Sequence, residues 1–173
     1  MRLALAALFA VAGFAAASAQ TPPVTRTVDL KNAVGATIGQ VQLWGAPGGV
    51  VIRVTARGLT PGWHGLHLHE TANCSPATFT AAGAHVGHTP TGQHGLLTPT
   101  GGEAGDLPNF YVGPNRQGAS EMFTTRVTLS RGGETPNLLD ADGSALVIHA
   151  SPDDHTSQPI GGSGARIACA VIR

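Results

Sequence analysis

The sequence predicts an all-β protein, a sandwich or barrel of around eight antiparallel strands. Three observations predict it. Several stretches alternate apolar and polar residues with period two, as half-buried strands do. Turn formers are plentiful, with 24 Gly and 12 Pro in 173 residues. Beyond residue 20 no stretch sustains a helical period.

The elements follow in order. Residues 24–32 set Val24, Val28 and Leu30 against Thr25, Thr27 and Asp29. Residues 37–44 alternate in the same way, and residues 50–56 are rich in β-branched side chains. Between these two, Ala46-Pro47-Gly48-Gly49 reads as a turn. Further strands are expected over residues 63–69, 110–112, 119–129, 145–150 and 165–172. Residues 70–109 carry little strand signal. A loop that long inside a compact domain is usually functional or disordered, and its ligand-type side chains favour function.

Composition narrows the function. Ten Lys+Arg balance ten Asp+Glu, so there is no basic surplus to attract nucleic acid or an anionic membrane. A 42% hydrophobic content argues against disorder. No apolar run after residue 20 approaches the roughly 18–20 residues of a membrane span. The start differs from the rest: Arg2, an apolar stretch over 3–17, then the small-x-small site Ala17-Ser18-Ala19. This is a secretory signal pattern, so residues 1–19 are expected to be removed. Residues 20–173 would then form one domain, at work in the periplasm or outside the cell. Cys74 and Cys169 are the only cysteines, and such an oxidising compartment favours a disulfide between them.

The histidines carry the chemistry. All eight lie between positions 64 and 155. On a strand, His67 and His69 share a face while His64 has the opposite parity. A His-x-His pair alone is weak evidence for a metal. It gains weight because His85, His88, His94, Glu103 and Asp106 follow in the long loop, and His149 sits in the strand-like stretch 146–150. Imidazoles suit copper and zinc, whereas calcium and magnesium prefer all-oxygen sets. With both cysteines used, thiolate zinc and iron–sulfur sites are excluded. Ser144 and Ser151 lie near His149 but lack the Gly-x-Ser-x-Gly setting of a nucleophile.

The blocks GWHGLHLHETANC (62–74), FTAAGAH (79–85), GDLPN (105–109), VIHASPDD (147–154) and GGSGARIACAVI (161–172) resemble the copper/zinc superoxide dismutases of the bacterial periplasmic type. The resemblance covers most of the mature chain. It implies an eight-stranded antiparallel Greek-key sandwich or barrel with long metal-binding loops. It further implies copper on His67, His69, His85 and His149, with His85 bridging to zinc, and zinc on His94 and Asp106 as well. By the same resemblance Asp153 accepts hydrogen bonds from a copper-ligand and a zinc-ligand histidine, His67 and His94. Arg166 is the cation at the mouth of the copper channel, Cys74–Cys169 the family disulfide and His64 a structural histidine. The implied activity is conversion of superoxide to dioxygen and hydrogen peroxide, with Arg166 and His85 as the catalytic pair.

One departure stands out. Glu103 occupies the position where the family usually has its third zinc histidine, three residues before the zinc Asp, and His88 stands in a changed segment after His85. Three outcomes are open: Glu103 ligates zinc, His88 supplies the missing imidazole, or the zinc site is weak or empty. A rival from another class is a copper-binding or copper-buffering protein on the same fold. The expected small-molecule partner is superoxide, and the sequence shows no apolar patch from which to choose an oligomeric partner. His155, in a polar turn, reads as solvated.

Overall fold

A computed structural model describes residues 26–130 and 132–173. The expected leader, residues 1–19, and the first two residues of the expected first strand lie outside them. Nine strands are present among the described residues: β1 Arg26–Asn32, β2 Thr37–Ala46, β3 Gly49–Arg57, β4 Gly62–His64, β5 Leu66–His69, β6 Phe110–Val112, β7 Gln117–Thr124, β8 Ser144–His149 and β9 Arg166–Ile172. Seven form one antiparallel sheet in the order β5-β8-β9-β1-β2-β3-β7, and β4 pairs with β6. The only helical element described is a single 3-10 turn, Thr80–Ala82.

The all-β class holds; most expected strands match the observed ones to within two residues at each end, and two stretches differ by more. The stretch 63–69 is divided at Gly65 into β4, which pairs with β6, and β5, which pairs with β8. Period two runs through the break, so alternation alone could not show that the chain changes partner. The stretch 119–129 keeps strand geometry only to Thr124. Beyond it β3 offers no further partner, because its pairing with β7 ends at Val50↔Thr124. The hairpin at Ala46-Pro47-Gly48-Gly49 forms as expected, with Ala46 opposite Gly49.

Period two decides which side of the sheet each residue faces. Leu66 and Leu68 of β5 join Leu146 and Ile148 of β8 in the main core, with Leu30, Leu43, Ile52, Phe110 and Ile172. Ala145, Val147 and Cys169 belong instead to a small second cluster with Phe79 and Ala82, beneath the long loop. Both faces of β8 are therefore covered, and all six of its residues are buried. His67, His69 and His149 have the parity of that second face. The site lies between the sheet and residues 70–109.

The Cys74–Cys169 disulfide, with a sequence separation of 95, fastens this loop to β9. Main-chain bonds hold it further: Glu70 N donates to Ala84 O, Val86 N to Leu68 O and Leu68 N to Gly105 O.

Candidate metal centre

Each copper-type histidine has one nitrogen tied down and one left free. His67 Nε2 meets Asp153 Oδ2 at 2.8 Å, and His69 Nδ1 donates to the Gly83 carbonyl at 2.9 Å. His149 Nδ1 donates to the Gly164 carbonyl at 3.1 Å, and His85 Nδ1 lies 3.0 Å from Asp106 Oδ1. The remaining atoms, His67 Nδ1, His69 Nε2, His85 Nε2 and His149 Nε2, are buried with no hydrogen-bond partner. These four residues present ligand atoms that all lie within 4.8 Å of one another. Four buried orphan nitrogens facing each other are costly unless something binds them. Their chemistry fits copper.

The strands explain this convergence. His67 and His69 share a face of β5, and Val147 of β8 lies opposite His67. A bulge between Ile148 and His149 re-aims the end of β8 and sets His149 opposite Arg166. Isolated bridges pair His69 with His85 and His67 with Asp106, bringing two loop residues onto β5.

A second group adjoins the first: His67, His85, His94 and Asp106 also place ligand atoms within 4.8 Å of one another. Of the two His67 nitrogens, one is engaged by Asp153 and the other faces the first group. The donors aimed at this space are His85 Nδ1, His94 Nδ1 and Asp106 Oδ1, which lies 2.8 Å from His94 Nδ1. Glu103 joins them, with Oε2 2.9 Å from His85 Nδ1. Two imidazoles and two carboxylates suit zinc chemically.

His88 is placed differently. Its Nδ1 meets the other Glu103 oxygen, Oε1, at 2.5 Å, and its side chain is 46% exposed while that of Glu103 is 5% exposed. The carboxylate is thus the inner group and the imidazole the outer one.

Asp153 links the two groups. It accepts from His67 Nε2, from His94 Nε2 at 3.1 Å and from the His155 main-chain N at 2.7 Å. A Cβ on Gly161 would fall 1.6 Å from Asp153 Oδ1, so this left-handed position admits only glycine. The solvated reading of His155 is corrected here. Its side chain is 18% exposed and lies against Asp153, with Nε2 3.3 Å from Asn109 Nδ2. The parity of a turn carries no burial signal, so the sequence could not place it. His64 is buried; its Nδ1 meets the His149 carbonyl at 2.7 Å and its Nε2 the Thr60 carbonyl at 2.8 Å.

Two supports were missed in the sequence. Asn109 exchanges hydrogen bonds with the Asp153 main chain, and Gln158 does the same with that of His94. Asn109 ends the GDLPN block, which was a usable signal; Gln158 lies in a polar turn and offered none.

Electrostatics divides the two groups. Burial, aided by the positive charge of neighbours, lowers His67 to about 4, His149 to about 3 and His69 to about 2. Burial also opposes charge on His94, but Asp106 and Asp153 outweigh it and raise that group to about 10. His85 is raised for the same kind of reason, by Asp106 and Glu103 against burial. Hydrogen bonds from histidines overcome burial and hold Glu103, Asp106 and Asp153 below the usual carboxylate range.

Arg166 donates to the Phe79 and Gly83 carbonyls, each at 2.7 Å, so Gly83 O orients both Arg166 and His69. Arg166, His85, His88, Glu103, Ala84, Pro159 and Ile160 line one small cavity of ≈ 100 Å³.

With this geometry in hand, comparison with known proteins is specific. Residues 36–172 match the family model for copper/zinc superoxide dismutase (SODC). A superoxide dismutase (Cu-Zn) of Caulobacter vibrioides is 44% identical over 173 residues, covering 100% of this chain and 99% of that one. Superoxide dismutase (Cu-Zn) 2 of Aquifex aeolicus is 42% identical over 147 residues, 84% of each chain. The crystal structure of a SOD-like protein from Bacillus subtilis superposes with a TM-score of 0.81 at 34% identity, covering 87% of this chain and 100% of that one.

Proposed function

The chain belongs to the copper/zinc superoxide dismutase family, and from that premise we propose which side chains perform the reaction. It is a superoxide dismutase, an oxidoreductase that converts superoxide to dioxygen and hydrogen peroxide. The observation that carries the assignment of roles is the set of four orphan nitrogens beside a guanidinium that lines the same cavity as His85.

His67, His69, His85 and His149 would hold copper, which supplies the one-electron exchange in both halves of the reaction. His85, His94, Asp106 and Glu103 would hold zinc, with His88 fixing the outer oxygen of Glu103. Arg166 draws the anionic substrate into the cavity and holds it by charge and hydrogen bonding. Its two carbonyl contacts fix the guanidinium, so little order remains to be gained when the anion arrives. His85 Nε2 holds a proton whenever it is not a ligand and donates it towards the product. Asp153 keeps His67 and His94 in one ring orientation and one tautomer. The copper-buffer alternative gives Arg166 no task. Residues 20–173 form the working domain after removal of residues 1–19, in the periplasm or outside the cell, where the disulfide persists.

Two measurements test these roles. The copper-loaded protein should consume superoxide well above copper held by a free peptide. Arg166→Ala should lose roughly 10-fold or more of that rate at low salt, and most of its salt dependence. A full rate in that variant would refute the steering role. Glu103→Gln should bind zinc at least about 10–100-fold more weakly, since losing a ligand costs no less than losing a partner that only orients one. Unchanged zinc affinity would remove Glu103 from the ligand set.

A further inference from the structure

We propose that Arg126 is a positioning residue for the zinc pair Glu103 and Asp106, acting through the Gly102–Glu103 peptide. The proposal rests on the ligand reading given above. Arg126 lies two residues beyond β7, next to Val127, which is fully buried in the main core. Its main-chain N donates to Thr124 Oγ1 at 3.2 Å, so its base is held. Its guanidinium reaches across to the long loop, with Nη1 donating to the Gly101 carbonyl and Nη2 to the Gly102 carbonyl. Among the described residues, no carboxylate lies within ion-pair range of it. A part-buried cation is thus committed to two neutral oxygens, immediately before a zinc-type carboxylate.

The peptide that follows explains why. Its oxygen, on Gly102, is held by Arg126; its N–H, on Glu103, donates to Asp106 Oδ2 at 2.9 Å. Gly95 N donates to the same Oδ2 at 2.7 Å. Two N–H groups therefore occupy Oδ2 and leave Oδ1 turned to His85 and His94. Polarised by the guanidinium at one end, the peptide is a better donor to the carboxylate at the other. Gly102 is left-handed at φ 79, and a Cβ there would fall 2.4 Å from Asp106 Oδ2. The backbone thus passes against the carboxylate where no side chain fits. Arg126 fixes this peptide plane from outside, and the plane in turn fixes one ligand through its Cα and the other through its N–H.

The test uses the full protein with Zn(II) and with Co(II) as a visible-spectrum probe of the same site. Arg126→Ala should bind Zn(II) about 10–100-fold more weakly in competition with a chelator, the range for loss of an outer partner. Its Co(II) bands should also shift. Arg126→Lys should recover part of both effects, since an ammonium can hold one carbonyl but cannot fork to two. The Cu(II) spectrum should stay native in both. Native zinc affinity and native Co(II) bands in Arg126→Ala overturn the proposal. Should that variant fail to fold, Arg126→Gln and Arg126→Lys read the same two quantities, and native values in both overturn it equally. Glu103→Gln, run in parallel, separates the two claims. Native zinc affinity there with weakened binding in Arg126→Ala removes Glu103 as a ligand and supports Arg126 acting through Asp106. The reverse pair overturns the Arg126 proposal alone.

Discussion

Asp153→Ala is expected to weaken metal binding at both sites, by about 10–100-fold at each and thus by roughly 10²–10⁴ for the two-metal form. The Asp153 side chain is fully buried and accepts from His67 in the first group and His94 in the second. Without it the His67 ring loses its one hydrogen-bond partner, so that either of its nitrogens can carry the proton, and the His94 ring is held by Asp106 alone. The orphan Nδ1 of His67 then no longer faces the other three nitrogens as the favoured state. Asp153→Asn should lose less, because its remaining carbonyl oxygen still accepts from one ring. Metal content after dialysis against graded chelator checks this, together with the Cu(II) spectrum. Native affinity at both sites in Asp153→Ala would show that the bridge is structural decoration.

The second large effect is on pH. Filling both sites at neutral pH should release at least two protons, one from His94 and at least one from His85, whose two nitrogens are both proposed as ligands. The sign follows from the shifts. His94 is raised to about 10 and so begins protonated in the metal-free protein at pH 7; Asp106 and Glu103 raise His85 as well, and even its neutral ring carries one proton to lose. Glu103, Asp106 and Asp153 are already ionised and release none. His67, His149 and His69, lowered to about 4, 3 and 2, are already neutral and release none either. Binding that expels protons tightens as pH rises, here by at least about a hundredfold per pH unit for the pair near neutrality. Calorimetric titration in buffers of different ionisation heat counts the protons directly. A release near zero would contradict both the charged state of His94 and the bridging place of His85.

The metal-free fold responds in the same terms. The raised His94 contributes stability that is fully present below pH 6.5 and lost as pH rises through about 10. The lowered Asp106 and Asp153 contribute stability present above pH 3.8 and lost as pH falls below it. Neutral His67, His69 and His149 add to the acid loss, because the unfolded chain takes up protons below pH 6.5 that these buried rings refuse.

Much of this was legible in the linear order of residues. Alternation along residues 37–44 and 50–56 locates strands, because side-chain direction in a strand repeats every two residues whatever surrounds it. The same rule puts His67 and His69 on one face and His64 on the other. Two cysteines in a chain whose start reads as a secretory signal imply their pairing. These are local or compositional properties. Tertiary structure alone decided the rest: that Gly65 divides one alternating run between two sheets, that β7 stops where its partner stops, and that His155 lies against Asp153. It also decided that Glu103 faces inward with His88 behind it, and that Arg126 holds the turn before Glu103. Such choices depend on hydrogen bonds between segments far apart in the chain, where no period links one residue to its partner. A loop without its own periodicity takes its shape from what it touches.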